Sequence, residues 1–423
     1  MDFLRYQDNE LFLEDVPLTT VAGAVGTPAY VYSMGAFIGC LTGLEQAFQG
    51  IRHLICYSVK AASNLTLLSL VAEKGMGADI VSGGELFRAL KAGISPRRVV
   101  YSGVGKTRAE LLEALEAEIF MFNLESEDEM GLLAEVARER DIVAQIAFRV
   151  NPDVDPHTHP YVATGLKENK FGVSRDEALR LYGEAKKNPW FKVIGIDCHI
   201  GSQLTELGPF ADTMEILADM VRELRGQGHA IRYLDIGGGL GIRYDGEEPP
   251  GLQEYAQAVT KPLAGVKDLT LILEPGRAVV GNSAVLLARV LYNKVNGDKR
   301  FVIVDAGMND LIRPSLYGAY HGIMPLEEPK GGIPLDPASV VGPVCESGDF
   351  LAKDRRLPPL APGDLIAVLG AGAYGFSMAS NYNSRPRAPE VLAYGAAFQV
   401  IREREGYDDL VRGEYPGQLN KTL

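Results

Sequence analysis

The stretch VIGIDCH at residues 193–199, a helical pattern over residues 209–225 and the run YLDI at residues 233–236 describe a strand, a helix and a second strand. Apolar residues recur at helical spacing in the middle segment, whereas the two flanking runs are short and mostly apolar. Two strands joined through a helix pair in parallel. This unit therefore predicts a parallel α/β fold.

The same alternation fills the chain from about residue 30 to residue 275. Six further strands are predicted at residues 55–59, 78–81, 99–102, 119–123, 144–150 and 271–274. Helical patterns at residues 84–92, 108–115 and 128–140 lie between them. Eight strand–helix units favour a closed (β/α)8 TIM-like barrel, and an open, doubly wound sheet is the main alternative.

The pattern changes after residue 275, where short strands alternate with turns rich in proline and glycine. The predicted strands lie at residues 286–295, 300–305, 339–344 and 365–369. Few helical patterns separate them, which favours a mostly antiparallel β domain. We therefore predict a barrel over residues 27–275 and a C-terminal β domain formed by residues 276–423 together with residues 1–26.

The composition is that of an ordinary globular chain with an excess of acidic residues. The 423 residues are 46% hydrophobic and 23% charged, and the formal net charge is −13. An acidic chain without runs of lysine or arginine is a poor candidate for binding nucleic acid or an anionic membrane. Four cysteines without a CxxC motif, and no apolar stretch of about 18 residues, predict a soluble cytoplasmic protein with reduced thiols.

The functional side chains of such a barrel follow the carboxyl ends of its strands. Lys60 follows the first predicted strand and His199 ends the sixth. The run GGG at residues 237–239 follows the seventh, and EPGR at residues 274–277 follows the eighth. An amine, an imidazole, a glycine-rich loop and a carboxylate are thus predicted at one face of the barrel.

Three of these features have a chemical and a structural interpretation. Burial at the barrel mouth lowers the pKa of a lysine, so we expect Lys60 to have a depressed pKa and an amine available for Schiff-base chemistry; the alternative is a lysine in solvent. The glycine run offers backbone N–H groups to a phosphate, or forms an ordinary tight turn. His199 lies flat against a planar cofactor, or is a hydrogen-bonded structural residue.

Glu274 becomes informative beside Lys60. A pyridoxal phosphate site needs a lysine for the Schiff base, a phosphate nest and a group that faces the pyridine nitrogen. A carboxylate at that position keeps the nitrogen protonated, which suits the loss of carbon dioxide because the ring then accepts electrons readily. The alternative for Glu274 is a salt bridge with Arg277.

The predicted β domain contains a second set of candidates. Cys345 stands beside Glu346 in a turn-rich loop, where the thiol either protonates a carbanion or packs as a small buried hydrophobe. Arg313 and Tyr317 either bind a carboxylate or belong to a solvated loop. The glycine-rich loop around Tyr374 carries one aromatic hydroxyl.

Together these segments resemble the fold-type III pyridoxal phosphate-dependent decarboxylases, and within them the diaminopimelate decarboxylases, through nearly the whole chain. The wider fold class shares Lys60 in YSVKA at 57–61, the glycines of DIGGGLG at 235–241 and EPGR at 274–277. The more specific runs are HIGSQ at 199–203, RPSLYGAYH at 313–321 and CESGD at 345–349. TGLKENKFG at 164–172 and GAYGFSMASNYNSRPR at 372–387 complete the match.

The resemblance implies an alanine racemase-like fold. It also implies an enzyme that converts meso-2,6-diaminopimelate to L-lysine and carbon dioxide, the last step of lysine biosynthesis. The cofactor would be pyridoxal phosphate, and no metal would be needed. Lys60 would form the Schiff base, His199 would stack on the ring and Glu274 would pair with the pyridine nitrogen. The phosphate would be held by Gly237, Gly238, Gly239, Gly276 and Arg277, and Tyr374 would touch both cofactor and substrate.

The resemblance also implies how the substrate is bound. Its distal carboxylate would be bound by Arg277, Arg313 and Tyr317, and its distal amino group by Glu346. Cys345 would donate the proton that replaces the lost carboxylate. In relatives the Cys–Glu pair comes from the second subunit, so a homodimer with shared active sites is implied.

Other functions remain alternatives. Racemases of the same two-domain plan commonly place an arginine at the pyridine nitrogen, where this chain has Glu274. Decarboxylation of ornithine, arginine or a carboxylated polyamine is a closer alternative. These substrates lack a distal stereocentre that bears both amine and carboxylate, so the pairs Arg313/Tyr317 and Cys345/Glu346 favour diaminopimelate. A non-catalytic pyridoxal phosphate carrier would have lost residues that this chain keeps. Ala62 stands where many relatives have asparagine, a departure that concerns only local packing.

Overall fold

A computed structural model of the chain describes residues 3–154, 170–329 and 334–415. The chain forms two compact units. The barrel unit comprises Met34–Ala284 and Gly372–Ser377. The β unit comprises Met1–Ser33, Val285–Ala371 and Met378–Leu423.

The N-terminal part of the β unit consists of four strands and one helix. They are β1 (Leu4–Gln7), β2 (Glu10–Leu13), β3 (Val16–Pro17), α1 (Leu18–Val25) and β4 (Ala29–Ser33). All five residues of β4 are buried, and β4 pairs in parallel with a strand near the C-terminus, Glu390–Tyr394. For this reason the contacts divide the chain after Ser33, whereas the sequence prediction divided it after residue 26.

Eight parallel strands close into the barrel of the barrel unit. They are β5 (His53–Ser58), β6 (Gly77–Ile80), β7 (Val99–Tyr101), β8 (Met121–Leu124), β9 (Ala144–Arg149), β10 (Phe191–Asp197), β11 (Tyr233–Asp235) and β12 (Thr270–Leu273). Their order around the barrel is β10-β11-β12-β5-β6-β7-β8-β9, and every pairing is parallel. The predicted closed barrel is confirmed, and the open doubly wound sheet is wrong.

Nine helices are found among the described residues of this unit. They are α2 (Met34–Ala47), α3 (Leu65–Glu73), α4 (Gly83–Lys91), α5 (Arg108–Glu116), α6 (Glu127–Arg140), α7 (Arg175–Ala185), α8 (Gly208–Gly226), α9 (Leu252–Thr260) and α10 (Arg277–Val280). Side chains that accept a hydrogen bond from the first turn cap α3 to α7: Asn64, Ser82, Thr107, Ser126 and Ser174. These caps satisfy N–H groups that a helix start leaves unpaired.

The barrel is a packed core rather than a pore. Its strands contribute one cluster of buried side chains, which consists of Cys56, Val100, Met121, Ala147, Ile194 and Ile272. Polar side chains follow the carboxyl ends of the same strands. Within residues 3–154, 170–329 and 334–415, no helix combines the length and the hydropathy required to cross a membrane.

The rest of the β unit is dominated by one large sheet. The elements of this part of the unit are β13 (Ala284–Asn296), β14 (Lys299–Val304), α11 (Arg313–Tyr317), β15 (Ile323–Pro325), β16 (Asp336–Val341), β17 (Phe350–Leu357), β18 (Leu365–Val368), β19 (Glu390–Tyr394), β20 (Ala397–Arg402) and α12 (Tyr407–Leu410). The sheet order is β17-β16-β14-β13-β4-β19-β20; β18 also pairs with β13, and β15 pairs with β18. Most pairs are antiparallel, whereas β14–β16 and β4–β19 are parallel. The mostly antiparallel β domain is confirmed.

Candidate active site

One pocket of the barrel unit collects most of the residues that the sequence singled out. It is lined by Lys60, His199, Gly237, Gly238, Gly239, Glu274, Gly276, Arg277 and Tyr374, together with other residues. All but Tyr374 follow the carboxyl ends of β5, β10, β11 and β12, and Tyr374 lies in the returning segment Gly372–Ser377. About 510 Å³ of empty volume lies at this pocket, the open solvent at its mouth included.

Lys60 lies just after β5 and forms an ion pair in this pocket. Its Nζ is 2.6 Å from Oδ2 of Asp79, a fully buried residue of β6. Burial lowers the pKa of Lys60, but the carboxylates of Asp79 and Glu274 raise it, and the net pKa lies above the ordinary value. The expected depressed pKa is therefore wrong, because the counterion Asp79 favours the ammonium form.

Ser58 connects this ion pair to the end of β12. Its Oγ lies 2.8 Å from Oδ2 of Asp79 and 2.9 Å from the carbonyl oxygen of Glu274. The hydroxyl therefore fixes the Asp79 carboxylate against the strand end that carries Glu274.

Glu274 is buried and lies among other acidic side chains. One carboxylate oxygen each of Asp197, Asp235 and Glu274 lies within 4.8 Å of the others, and we call these three residues the carboxyl cluster. Burial, and then repulsion by Asp235, raises the pKa of Glu274 well above its usual range. Arg277 instead bonds other side chains, and no ion pair joins it to Glu274 among the described residues, so the salt-bridge alternative is wrong.

Neutral donors hold the carboxyl cluster in place. The Gly237 N–H donates to Oδ1 of Asp235 at 3.0 Å, and Nδ2 of Asn123 donates to Oδ2 of the same carboxylate at 3.1 Å. Asn123 also donates to Oγ of Ser102 at 3.1 Å, and that hydroxyl lies 3.4 Å from Oε1 of Glu274. Burial raises the pKa of Asp235 to about 7. Carboxylates this close cannot all ionise, so the cluster retains a proton near neutral pH.

Sequence reasoning missed several polar residues of this network. They are Asp79, Ser102, Asn123, Asp197 and Asp235. Each lies in an apolar barrel strand or just after one, and an ionisable or amide side chain in such a strand was the available signal.

His199 is a neutral imidazole. The Gly238 N–H donates to its Nδ1 at 3.1 Å, which places the ring proton on Nε2. Burial lowers the pKa of His199 well below its usual range, and the positive charges of Arg149 and Lys60 lower it further. The ring is thus hydrogen-bonded and also lines the pocket, so its two interpretations are compatible.

The glycine run makes room for neighbouring groups. A Cβ at Gly237, where φ is +63°, would overlap Nδ1 of His199, and a Cβ at Gly238 would overlap the carbonyl oxygen of Glu274. The N–H groups of Gly237 and Gly238 already donate to Asp235 and His199. These two N–H groups are therefore committed inside the barrel unit and do not form a nest in this structure.

Arg277 is buried at the start of α10 and faces the pocket. Its Nε and Nη2 donate to Oγ of Ser202 at 3.2 and 3.1 Å, and its Nη1 donates to the Tyr244 hydroxyl at 2.6 Å. The guanidinium carbon lies 5.0 Å from the centre of the Tyr374 ring. Tyr374 has a φ of +57°, and its N–H donates to the Ala61 carbonyl at 2.8 Å. Ser202 and Tyr244 were not among the sequence candidates.

The remaining candidates lie in the β unit. Arg313 begins α11 and is 5% exposed, with its Nη1 3.0 Å from Nε2 of His321, so the solvated-loop alternative is wrong for Arg313. Tyr317 ends α11 and is half-buried. His321 was not a sequence candidate, although it closes the run RPSLYGAYH.

Cys345 and Glu346 lie in a loop between β16 and β17. Cys345 is exposed, so the alternative of a small buried hydrophobe is wrong. Its N–H donates to Oδ1 of Asn383 at 2.7 Å. Oε2 of Glu346 accepts a hydrogen bond of 3.0 Å from the Tyr382 hydroxyl. A thiol and a carboxylate are thus presented side by side at the surface of the β unit.

The motif TGLKENKFG is only partly visible. Residues 164–169 lie outside the described residues. Gly172, its last residue, donates its N–H to Oε2 of Glu125 at 3.0 Å, and Oε1 of Glu125 pairs with Nη1 of Arg149 at 3.2 Å. The described end of the motif therefore packs against a buried ion pair at the carboxyl end of β9.

The pocket fits pyridoxal phosphate by the chemistry of its side chains. It offers the amine of Lys60, the imidazole of His199 and the guanidinium of Arg277. Glu274 is buried beside two carboxyl groups, and a carboxylate in such a place is stabilised by a cationic N–H donor such as a protonated ring nitrogen. The donor set therefore suits a planar, phosphate-bearing cofactor with a basic ring nitrogen.

The pocket and barrel belong to a known class of enzyme. Residues 40–281 match the family model of the pyridoxal-dependent decarboxylases, in its pyridoxal-binding domain. The cofactor of this class is pyridoxal phosphate, and the fold is confirmed as that of the fold-type III enzymes.

Comparison with individual proteins narrows the family. The chain is 51% identical to a diaminopimelate decarboxylase of Pseudomonas aeruginosa, over 98% of this chain and 99% of the relative. A diaminopimelate decarboxylase of Aquifex aeolicus is 49% identical, over 97% of this chain and 96% of the relative. The chain therefore belongs to the diaminopimelate decarboxylase family.

Solved structures of diaminopimelate decarboxylases superpose on this chain over nearly its whole length. The Helicobacter pylori diaminopimelate decarboxylase, complexed with L-lysine, superposes with a TM-score of 0.90 at 46% identity, covering 93% of this chain and 98% of that chain. The enzyme from M. jannaschii, in co-complex with L-lysine, gives a TM-score of 0.93 at 37% identity, with 98% of both chains covered.

Proposed function

We propose that the chain decarboxylates meso-2,6-diaminopimelate to L-lysine and carbon dioxide. The observation that supports this most directly is the pocket lined by the Lys60 amine and the buried Glu274, with Asp79 paired to Lys60. Pyridoxal phosphate, when bound, supplies a ring that accepts the electron pair released as carbon dioxide leaves. The names of the relatives and the specific runs HIGSQ and CESGD support diaminopimelate as the substrate.

Lys60 would hold the cofactor covalently through its amine. The raised pKa keeps Lys60 protonated, so a proton must leave before the amine can act as a nucleophile. Oδ2 of Asp79, at 2.6 Å, is placed to take that proton. The other carboxylate oxygen of Asp79, Oδ1, is buried without a hydrogen-bond partner among the described residues. The carboxyl group of Asp79 therefore has an uncommitted oxygen when it takes the proton from Lys60.

Glu274 would keep a proton on the ring nitrogen, and the neutral imidazole of His199 would stack on the ring. The phosphate would be held by Gly239, Gly276 and the guanidinium of Arg277, with Gly237 and Gly238 shaping the wall of the pocket. Tyr374 would contact both cofactor and substrate, because it lines the pocket and its ring lies against the guanidinium of Arg277.

The β unit would supply recognition and the final proton. Arg313 and Tyr317 would bind the distal carboxylate together with Arg277, and Glu346 would bind the distal amino group. Cys345 would donate a proton to the carbon that has lost carbon dioxide. The exposure of Cys345 supports a role at a subunit boundary, and we propose a homodimer with shared sites that works in the cytoplasm.

An assay with purified holoenzyme tests this proposal. Incubation with meso-diaminopimelate should release carbon dioxide and L-lysine in equal amounts, whereas ornithine, arginine and lysine should react far more slowly. A site built for a charged group leaves buried partners unpaired when the group is missing, which costs on the order of 2–5 kcal/mol. Equal rates with ornithine would contradict the substrate assignment, and Lys60→Ala is the inactive control.

A further inference from the structure

Two separate segments of the β unit carry its four proposed site residues. The thiol loop, residues 342–349, contains Cys345 and Glu346. The arginine segment, residues 307–317, contains Arg313 and Tyr317. Proton donation requires that Cys345 keep a fixed position at the reacting carbon, and therefore that the thiol loop be held in place on the β unit.

Asp349 bonds to both segments at once. It is 4% exposed, and its Oδ1 accepts a hydrogen bond of 2.6 Å from the N–H of Met308 in the arginine segment. Its Oδ2 accepts a hydrogen bond of 2.6 Å from the N–H of Val344, the residue before Cys345. One carboxylate thus fixes a backbone group of each segment through a charge-assisted bond.

The backbones of the two segments touch beside this carboxylate. A Cβ at Gly342 would lie 2.5 Å from Oδ2 of Asp349 and 2.5 Å from Cα of Gly307. A Cβ at Gly307 would lie 3.1 Å from both carboxylate oxygens of Asp349. Glycine on each side therefore allows the approach, and no space remains for a longer side chain at position 349.

Further bonds close the same junction. Oγ of Ser315, in α11, donates to the Gly348 carbonyl at 2.5 Å. The Ser380 N–H donates to the Asn309 carbonyl at 2.9 Å, and Asn383, three residues further on, accepts from the Cys345 N–H. Asn383 has a φ of +56°, a left-handed conformation of the kind that surrounding contacts must maintain.

We propose that Asp349 is a positioning residue, which holds the thiol loop against the arginine segment so that Cys345 keeps a constant place on the β unit. The inference rests on the proposed function, which gives Cys345 and Arg313 their roles. Burial of a carboxylate is unfavourable unless hydrogen bonds compensate for the lost hydration, and both carboxylate oxygens of Asp349 accept such bonds at this junction.

Asp349→Asn tests the proposal with little change of size. The amide keeps one acceptor oxygen but turns an NH2 group toward the second backbone N–H, so one of the two bonds is lost. We expect amide hydrogen exchange at Met308 or Val344 to accelerate about tenfold or more, because losing one such bond is worth about that factor.

The same variant should change the chemistry in a way that simple destabilisation does not. In heavy water the carbon that loses carbon dioxide receives one deuteron, whose configuration records where the proton donor stands. Asp349→Asn should lower kcat at least about tenfold and should yield lysine in which this deuterium has lost stereochemical purity. Asp298→Asn, at an exposed position in the β13–β14 turn, is the matched control and should behave as the unmodified protein.

Ser315→Ala is the second variant if Asp349→Asn does not fold. It removes one bond between α11 and the thiol loop, and should produce the same changes to a smaller extent. Unchanged exchange at Met308 and Val344 would overturn the proposal, as would faster exchange with unaltered kcat and stereochemistry. A Cys345→Ala protein with normal kcat and stereochemistry would instead contradict the role that the proposed function gives Cys345, while the exchange measurements would still decide what Asp349 holds.

Discussion

At the scale of single residues, the acidic groups at the pocket differ in their partners. Lys60 is paired with Asp79, whereas Glu274 lies in the carboxyl cluster and is bonded there by the neutral Ser102. Because like charges oppose ionisation, the Glu274 carboxylate is stabilised by any cationic donor that enters the pocket. A protonated ring nitrogen is such a donor, so the cofactor and Glu274 would each favour the charged form of the other.

Glu274→Gln tests this mutual stabilisation. Glutamine has nearly the same shape but no charge, so the protein should still bind pyridoxal phosphate, which its visible absorption would report. We expect kcat to fall about tenfold to a thousandfold and KM to change much less, because the lost interaction strengthens only as the reaction proceeds. A kcat near that of the unmodified enzyme would contradict the role assigned to Glu274.

A site residue could be predicted from the sequence where its position next to a predicted strand already indicates its place in the fold. Lys60, His199 and Glu274 follow strand ends, so one rule about barrels found them together. The pKa of Lys60 could not be predicted, because its direction is set by Asp79, which lies on the neighbouring strand and is distant in the sequence. Burial alone argues for a lower pKa, and only the contact reverses the sign.

At the scale of elements, the turn after β11 depends on a glycine for the position of the imidazole. Gly237→Ala would place a methyl group against His199 at a φ of +63°. We expect a loss of about 2–4 kcal/mol in the free energy of unfolding and weaker cofactor binding, since strain and overlap add. Gly246→Ala is the matched control, because a Cβ there meets nothing within 4 Å; equal stability of the two variants in chemical denaturation would refute the prediction.

The ends of β10, β11 and β12 form the carboxyl cluster, which should make stability depend on pH. Burial raises the pKa values of Asp197 and Asp235, so the folded chain binds more protons than the unfolded chain between about pH 4 and pH 7. Stability therefore falls as pH rises through this window. His199, with its lowered pKa, acts in the opposite direction.

A variant isolates the contribution of the cluster from that of His199. In the cofactor-free protein, Asp197→Asn should reduce the loss of unfolding free energy between pH 5 and pH 8 by on the order of 1–4 kcal/mol. The measurement is urea denaturation at several pH values, with Asp212→Asn on the exposed side of α8 as the control. Parallel pH profiles for Asp197→Asn and the unmodified chain would show that the cluster is not protonated on folding.

The elements themselves were largely predictable, because hydrophobic periodicity is a local property. All eight barrel strands were found from it. β4 was not among the predicted strands, and its residues fell in the range 27–275 assigned to the barrel; its sequence AYVYS is that of any buried strand. Its parallel partner β19 lies near the other end of the chain, and only tertiary contacts assign β4 to the β unit.

At the scale of the whole molecule, the proposed function divides one reaction between two units of the chain. Lys60 and Glu274 belong to the barrel unit, whereas Arg313 and Cys345 belong to the β unit. If the homodimer that we propose shares its sites, each site takes Lys60 from one subunit and Cys345 from the other. The alternative is that each chain completes its own site.

Mixing two inactive variants decides between these arrangements. Lys60→Ala and Cys345→Ala homodimers should each be nearly inactive, and random reassortment of equal amounts makes half of the dimers heterodimers. With shared sites, each heterodimer contains one site with both substitutions and one with neither. About a quarter of the unmodified activity should then return, as two-fold symmetry requires. With sites completed within one chain, every site in a heterodimer keeps one substitution, so activity that stays absent after verified subunit exchange would refute shared sites.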